Sequence, residues 1–345
     1  MNAPFGSRST FMVLPQPYLL FLGDTTEPGF AKTAFGLRDW AGDKCVGEFA
    51  CGATVTTDLP RMTPAQAVVE GAKGLVIGVA NPGGVIPQSW RKSLVEALEA
   101  GLDIVSGMHV RLADIPELAE AATLLGRRLI DIRVPPAEIP VATGRKRSGN
   151  RLLTVGTDCA LGKKYTALAL ARAFRQRGVD SDFRATGQTG IMIAGGGMPM
   201  DAVVSDFEAG AAEMLSPDAA PDHWDVIEGQ GSLAHPAYAA VSLGLLHGSQ
   251  PDIFVVCHEP GRTDMLGTAG YKVATIEEII DLTLALGRRT NPAIRCGGVS
   301  FNTSALDEAE AGALMKLESE RLGLPVADPI RGGPAFDALV DSCLV

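Results

Sequence analysis

Short aliphatic and β-branched runs alternate along this chain with longer stretches whose apolar positions recur every three or four residues. In the first part, Tyr18 to Leu22, Gly74 to Ala80 (GLVIGVA), Asp103 to Ser106 and Leu129 to Arg133 predict strands. Ser89 to Ala100 and Pro116 to Leu125 predict helices, the former stopping at Gly101, a natural C-terminal glycine. The strand runs are apolar almost throughout instead of alternating with polar residues. Strands of that kind are buried on both faces, which points to a parallel sheet between two helical layers.

Val134 to Asn150 breaks the pattern with three prolines and then the run Arg145, Lys146, Arg147. It reads as an interdomain linker. Its basic triplet is expected to be a solvated loop, or else a hand on a phosphate bound nearby. Beyond it the alternation resumes: strands at Leu152–Val155, Ser181–Ala185, Asp225–Ile227, Asp252–Cys257 and Ala293–Ser300; helices at Lys163–Arg177, Asp206–Leu215, Pro236–Leu246, Ile276–Leu286 and Ala305–Leu322. The expected fold class is therefore α/β: two three-layer α/β domains, residues 1–144 and 145–345.

Composition narrows the function. The 345 residues carry 30 Lys and Arg against 40 Asp and Glu, a net charge of −10, which disfavours general affinity for nucleic acid or an anionic membrane. Hydrophobic residues at 46% support sizeable cores, and 40 glycines, where an average composition gives roughly 24, suit tight strand-to-helix turns. The six cysteines form no C-x-x-C pair, so buried free thiols in a reducing, cytoplasmic setting are expected instead of disulfides or structural zinc. Arg8 with its short apolar stretch, interrupted by Pro15, Gln16 and Pro17, makes a poor signal peptide. No run approaches a membrane span.

The sharpest local signal is VGTDCALGKKYT at 155–166, following a predicted strand and opening a predicted helix. In that setting consecutive backbone N–H groups form a concave anion site, strengthened by the helix dipole. The cradle would run through Gly156, Thr157, Asp158, Cys159, Ala160, Leu161, Gly162, Lys163, Lys164 and Tyr165. Gly156 and Gly162 permit the turn, and Lys163 reaches the outer phosphates. The spacing is G-x5-G-K, and Lys164 stands where a Ser or Thr normally ligates magnesium. Such a loop is suited to hold a pyrophosphate and poorly suited to split ATP, and the fold it implies for the second domain is P-loop NTPase-like.

Further candidates lie where later strands end, the edge at which open α/β sheets bind ligands. VIEGQGSLAHP at 226–236 supplies Glu228 and His235; ATGQTG at 185–190 supplies Gln188 and Thr189; VCHEPGRT at 256–263 supplies Arg262, whose planar fork suits a carboxylate. In the first domain, GVANPGG at 78–84 looks like a loose Rossmann turn, and SGMHVR at 106–111 supplies Arg111.

Together, GTDCALGKKYTALAL, ATGQTGIMIAG, IEGQGSLAHP, GVANPGG and SGMHVRLAD resemble a bacterial and archaeal family that pairs an N-terminal Rossmann-like with a C-terminal P-loop-like domain and includes D-glutamate N-acetyltransferase. The resemblance spans nearly the whole chain. It implies an amino-acid N-acetyltransferase of D-amino-acid catabolism, with acetyl-CoA as co-substrate, no metal, and a pathway partner that oxidises N-acetyl-D-glutamate. Lys163, Lys164 and the basic triplet would then face the phosphates of coenzyme A. Glu228 or His235 would be the general base, His235 favoured for its ordinary pKa of about 6.5. Arg262, with Arg111 second, would clamp the acceptor's carboxylates, helped by Gln188 and Thr189. A homo-oligomer is expected. The loop is also similar to that of dethiobiotin synthetase. Two rival readings therefore stand: an ATP- and magnesium-dependent ligase or carboxylase with the metal on Glu228 and Asp158, and a non-catalytic nucleotide-binding protein.

Overall fold

A computed structural model describes residues 13–345 except Ala269; Arg8 and the apolar stretch read with it lie outside the described residues. The chain forms two parallel-sheet α/β units. The first comprises the described residues up to Pro136 together with Gln188–Pro199; the second holds Ala137–Gly187 and Met200–Val345.

In the first unit the elements run β1 (Tyr18–Phe21), α1 (Lys32–Ala41), β2 (Cys45–Phe49), α2 (Pro64–Val69), β3 (Gly74–Ile77), α3 (Gln88–Ala100), β4 (Asp103–Ser106), α4 (Pro116–Leu125) and β5 (Leu129–Asp131). The sheet order is β2-β1-β3-β4-β5, parallel throughout, one of the two common doubly wound arrangements. Leu19, Phe21, Leu75, Ile77 and Ile104 point into a core completed by Trp90, Leu94 and Leu98 of α3 and Leu118 of α4. Phe21 meets Trp90 edge-on at 5.5 Å. Because strand side chains alternate, Leu20, Val76 and Val105 point the other way. Gly101 ends α3 in the left-handed conformation, as the sequence predicts.

Two elements of this unit depart from expectation. β2 pairs with β1 although Gly47 and Glu48 interrupt its apolar run; Glu48 is buried, its carboxylate accepting from Thr56, Thr57 and Arg61. The glycine-rich stretch after Gly187 is a helix, α6 (Gln188–Ala194), that packs against α1. Its Met192 carbonyl accepts from the Tyr18 hydroxyl at 3.0 Å, and Thr189 meets Thr33 at 3.2 Å.

The second unit contains β6 (Asn150–Gly156), α5 (Lys163–Gln176), β7 (Ser181–Arg184), α7 (Glu208–Leu215), β8 (Trp224–Ile227), α8 (Ala239–Ser249), β9 (Ile253–His258), α9 (Ile276–Gly287), β10 (Arg295–Phe301), α10 (Glu308–Leu322), β11 (Val326–Ala327) and α11 (Gly333–Leu344). Its sheet, also parallel, has the order β11-β10-β9-β6-β8-β7. Leu152, Val226 and Val255 form the core with Leu170 and Phe174 of α5 and Leu339 of α11. The chain leaves β8 on one side of β6 and re-enters as β9 on the other. The loop after β6 therefore rises at the reversal of strand order, where ligands bind in such sheets.

At the opposite, amino edge Arg145 and Lys146 of the basic triplet are exposed, as a solvated loop has them, whereas Arg147 is buried, and all three pair with the protein itself. Arg145 pairs with Asp218, Lys146 reaches Asp252 at 2.7 Å, and Arg147 is buried against the Ser216 and Gly248 carbonyls at 2.6 and 2.7 Å. These residues brace the starts of β6, β8 and β9. They stand at the far end of the strands from the phosphate-type loop.

Candidate active site

Three loops meet at the carboxyl edge of the second sheet. The first, 157–162, joins β6 to α5. Gly162, with φ of 106°, lets the chain turn into the helix, and Ala160 holds a left-handed φ of 54°, a strained value for a residue with a side chain. Lys163 is buried and its Nζ donates to the Asp158 carbonyl at 2.8 Å. Lys164 lies over the Tyr165 ring at 4.4 Å. Burial pushes both lysines below the usual ammonium range.

The second loop follows β8. Gly229 is obligatory there, since a Cβ would lie 1.6 Å from the Thr154 carbonyl. Thr154 of β6 stitches the place together: its hydroxyl accepts from Gly229 N–H at 2.9 Å and donates to the Lys163 carbonyl at 3.2 Å. Glu228 is buried, with Oε2 accepting from Thr186 N–H and Gly187 N–H, both at 3.0 Å. Burial raises its carboxyl above the ordinary range, against the pull of those two hydrogen bonds and the charges of Lys164 and Lys163. A buried carboxyl so raised, with one oxygen fixed and the other left over, is the arrangement expected of a proton acceptor. Thr154, Gly156, Gly229, Gln230, Ser232 and Leu245 line a small cavity beside it.

The third loop follows β9. His258 at the strand's end meets the Thr157 hydroxyl at 3.0 Å. Arg262 Nη1 donates to Asp158 Oδ2 at 3.1 Å and to the Cys159 carbonyl at 2.8 Å, while Nη2 pairs with Glu259. Leu266 N–H donates to the same Asp158 Oδ2 at 2.9 Å, and Cys159 N–H donates to Oδ1 at 2.6 Å. Burial would raise the Asp158 carboxyl, yet these donors and the Arg262 charge outweigh it and hold it below its usual range. Asp158 is thus the point where the first and third loops are tied.

Two expectations are corrected by this geometry. Arg262 does not present a free fork to a substrate carboxylate, because its guanidinium is committed to Asp158, the Cys159 carbonyl and Glu259. The order of the two expected bases also reverses. His235 Nδ1 accepts the Ala237 N–H at 3.1 Å, so the lone pair that a base needs is engaged, whereas Glu228 keeps Oε1. The predicted helix at Pro236 begins only at Ala239, and the non-helical turn in between is what aims the Ala237 N–H back at the ring. Among the other candidates, Gly156 to Tyr165, Glu228, His235 and Arg262 belong to the second unit, and Arg111, Gln188 and Thr189 to the first. The bracing role of Thr154 carried no sequence signal, since a lone threonine in an apolar strand reads as a strand former.

Comparison with known proteins agrees with the architecture. A Rossmann-like domain of unknown function matches residues 43–135, and a P-loop domain of unknown function matches residues 140–340, the N- and C-terminal halves of one family, DUF1611. Two relatives, from Tritonibacter scottomollicae and a Pseudoalteromonas species, are 51% and 47% identical, each over 93% of this chain and 97% of the relative. Both are named D-glutamate N-acetyltransferase. The crystal structure of a DUF1611 protein from Anabaena variabilis ATCC 29413 superimposes with a TM-score of 0.80 at 34% identity, over 95% of this chain and 98% of the other. The class these findings define is an N-acetyltransferase enzyme built from a Rossmann-like and a P-loop domain. This chain belongs to the DUF1611 family. Among the described residues no helix is long and apolar enough to cross a membrane.

Proposed function

We propose that this enzyme moves the acetyl group of acetyl-CoA to the α-amine of D-glutamate. The substrate pair follows the names of the two relatives at 51% and 47% identity. The observation that carries the chemistry is the buried, raised Glu228 beside a phosphate-type loop whose second lysine replaces the magnesium-binding hydroxyl.

In this reading the N–H groups of 157–162 with Lys163 and Lys164 hold the phosphates of coenzyme A; each charged hydrogen bond contributes about 1.5–3 kcal/mol. An amino acid's ammonium cannot attack, so Glu228 takes a proton from it. The freed nitrogen attacks the thioester carbon and the π pair moves to oxygen. When that pair returns, the C–S bond breaks and the thiolate leaves. The acylated nitrogen loses its extra proton to water, and the proton held on Glu228 passes to the thiolate, so that the products are N-acetyl-D-glutamate, coenzyme A and one released proton. Backbone N–H groups of the glycine turns serve the oxyanion. No metal enters the reading, and the commitment of both Asp158 oxygens to protein donors supports it over a ligase that places magnesium on Asp158. An enzyme that oxidises N-acetyl-D-glutamate would consume the product.

The test is release of coenzyme A thiol by the purified protein with EDTA present and ATP absent. D-Glutamate should release thiol in step with acetylated product, and L-glutamate should be a poor acceptor. No thiol release from either amino acid, or release only with magnesium-ATP, overturns the proposal.

A further inference from the structure

His235 has one exposed per cent of its surface, and its ring stacks on Tyr238 at 4.7 Å. Nδ1 is an acceptor, because the Ala237 N–H points at it from 3.1 Å. A neutral imidazole has one N–H and one lone pair, so a ring that accepts at Nδ1 carries its proton on Nε2. That N–H has no hydrogen-bond partner among the described residues. A buried donor left unpaired is costly, and its nearest carboxylate oxygen is Asp158 Oδ1 at 3.8 Å, about 1 Å beyond bonding distance.

A proton on Nε2 removes three more obvious roles. Asp158, Cys159 and His235 offer ligand atoms within 4.8 Å of one another. That cluster suggests a cation site, or a thiol with an imidazole base. Both need the lone pair on Nε2 and therefore the proton on Nδ1, where it would face the Ala237 N–H. Metal-bound imidazoles instead aim their second N–H at an acceptor. A general base acting through Nε2 meets the same obstacle.

We infer that His235 is a positioning residue: its Nε2–H closes on the Asp158 carboxylate when the phosphate-type loop takes up acyl-CoA, fastening the loop after β8 to the loop after β6. Lys163 provides the trigger. Its ammonium now holds the Asp158 carbonyl at 2.8 Å, and turning it toward a phosphate frees that peptide to shift. Arg262 and Leu266 already tie Asp158 to the loop after β9, so the new bond would join all three loops through one carboxylate.

The kinetic part of the test rests on the acetyl-CoA reading; the spectroscopic part does not. Long-range 1H–15N spectra of the full-length protein alone should place the imidazole proton of His235 on Nε2. A lone pair on Nε2 overturns the inference whatever the substrate proves to be. In steady state, His235→Ala should raise the KM for acetyl-CoA about tenfold or more, as loss of a hydrogen bond to a charged group does, and leave kcat and its acid limb in place. His235→Gln, which restores an N–H near the same point, should recover most of that KM. A fall in kcat of a hundredfold or more in both variants, with thermal melts unchanged, makes His235 the base and overturns the inference. A wild-type enzyme that acetylates nothing overturns the functional reading instead, leaving the tautomer result to stand by itself.

Discussion

At the amino edge of the second sheet, cations meet carboxylates and carbonyls: Arg145 with Asp218, Lys146 with Asp252, Arg184 with Asp225, and Arg151 buried among the carbonyls of Ser148, Arg147 and Pro217. At the carboxyl edge Lys163 and Glu228 are buried and Lys164 is half-buried, each pushed toward its neutral form, and one imidazole N–H lacks a partner. One strand layer separates the two edges, and residue types alone do not distinguish them. What differs is whether a charge has an opposite in contact, as Arg145, Lys146 and Arg184 have and as Lys163, Lys164 and Glu228, unlike the neighbouring Asp158–Arg262 pair, have not. Where it has, the charge holds the fold. Where it has not, the cost of burial is retained for a ligand or a proton to relieve.

The largest effect is expected at Glu228. Glu228→Gln should lower kcat by about 10²–10⁴, the usual worth of a general base, with thermal melting and acetyl-CoA affinity unchanged. In the wild type, activity should rise with pH as Glu228 loses its proton, at a pH above the ordinary carboxylate range. A wild-type acid limb that persists in the Gln variant assigns the limb to another group.

Next comes the amino edge. Arg151→Ala strips donors from several buried carbonyls and from the Ser216 hydroxyl. It should cost about 3–5 kcal/mol, lowering Tm by roughly 10 °C. The kcat of whatever remains folded should stay as it was, and a selective loss of kcat instead would erase the division between edges. Lys163→Ala should raise the Kd for acetyl-CoA by about 10- to 100-fold, the value of one charged hydrogen bond. Calorimetry reads it, and an unchanged Kd would move the phosphates off this loop.

The smallest expected effect is at His223. Burial lowers its pKa, but the hydrogen bond with Asp180 and the charge of Asp225 overcome that and raise it above the ordinary value. A group raised on folding stabilises the protein fully below its unfolded value of about 6.5 and ceases to do so as pH rises through the folded value. The melting difference between wild type and His223→Gln should therefore be a few degrees at most, largest below about pH 6.5, and should fade above it. A difference that grows with pH contradicts the assignment.

Much of the fold was legible because parallel strands are buried on both faces and advertise themselves as apolar runs; β1, β3, β4 and the termination of α3 at Gly101 read directly. β2 escaped because its Glu48 is buried by partners, Thr57 and Arg61, that lie nine and thirteen residues away. α6 escaped because it is short and glycine-bearing, and because what it packs on is α1, far away in sequence. At the site, the loop and Glu228 were readable from motif and strand end. The commitment of Arg262 and the tautomer of His235 were not. Each is decided by one neighbour, Asp158 or the Ala237 N–H, whose direction no spacing rule gives.

The proposed function requires the carboxyl edge to be a metal-free cradle for an acyl-CoA. Calorimetric titration of the purified protein with acetyl-CoA in EDTA, and separately with magnesium-ATP, tests it most directly. Saturable heat is expected from acetyl-CoA alone and none from magnesium-ATP. Heat from magnesium-ATP with none from acetyl-CoA would contradict it.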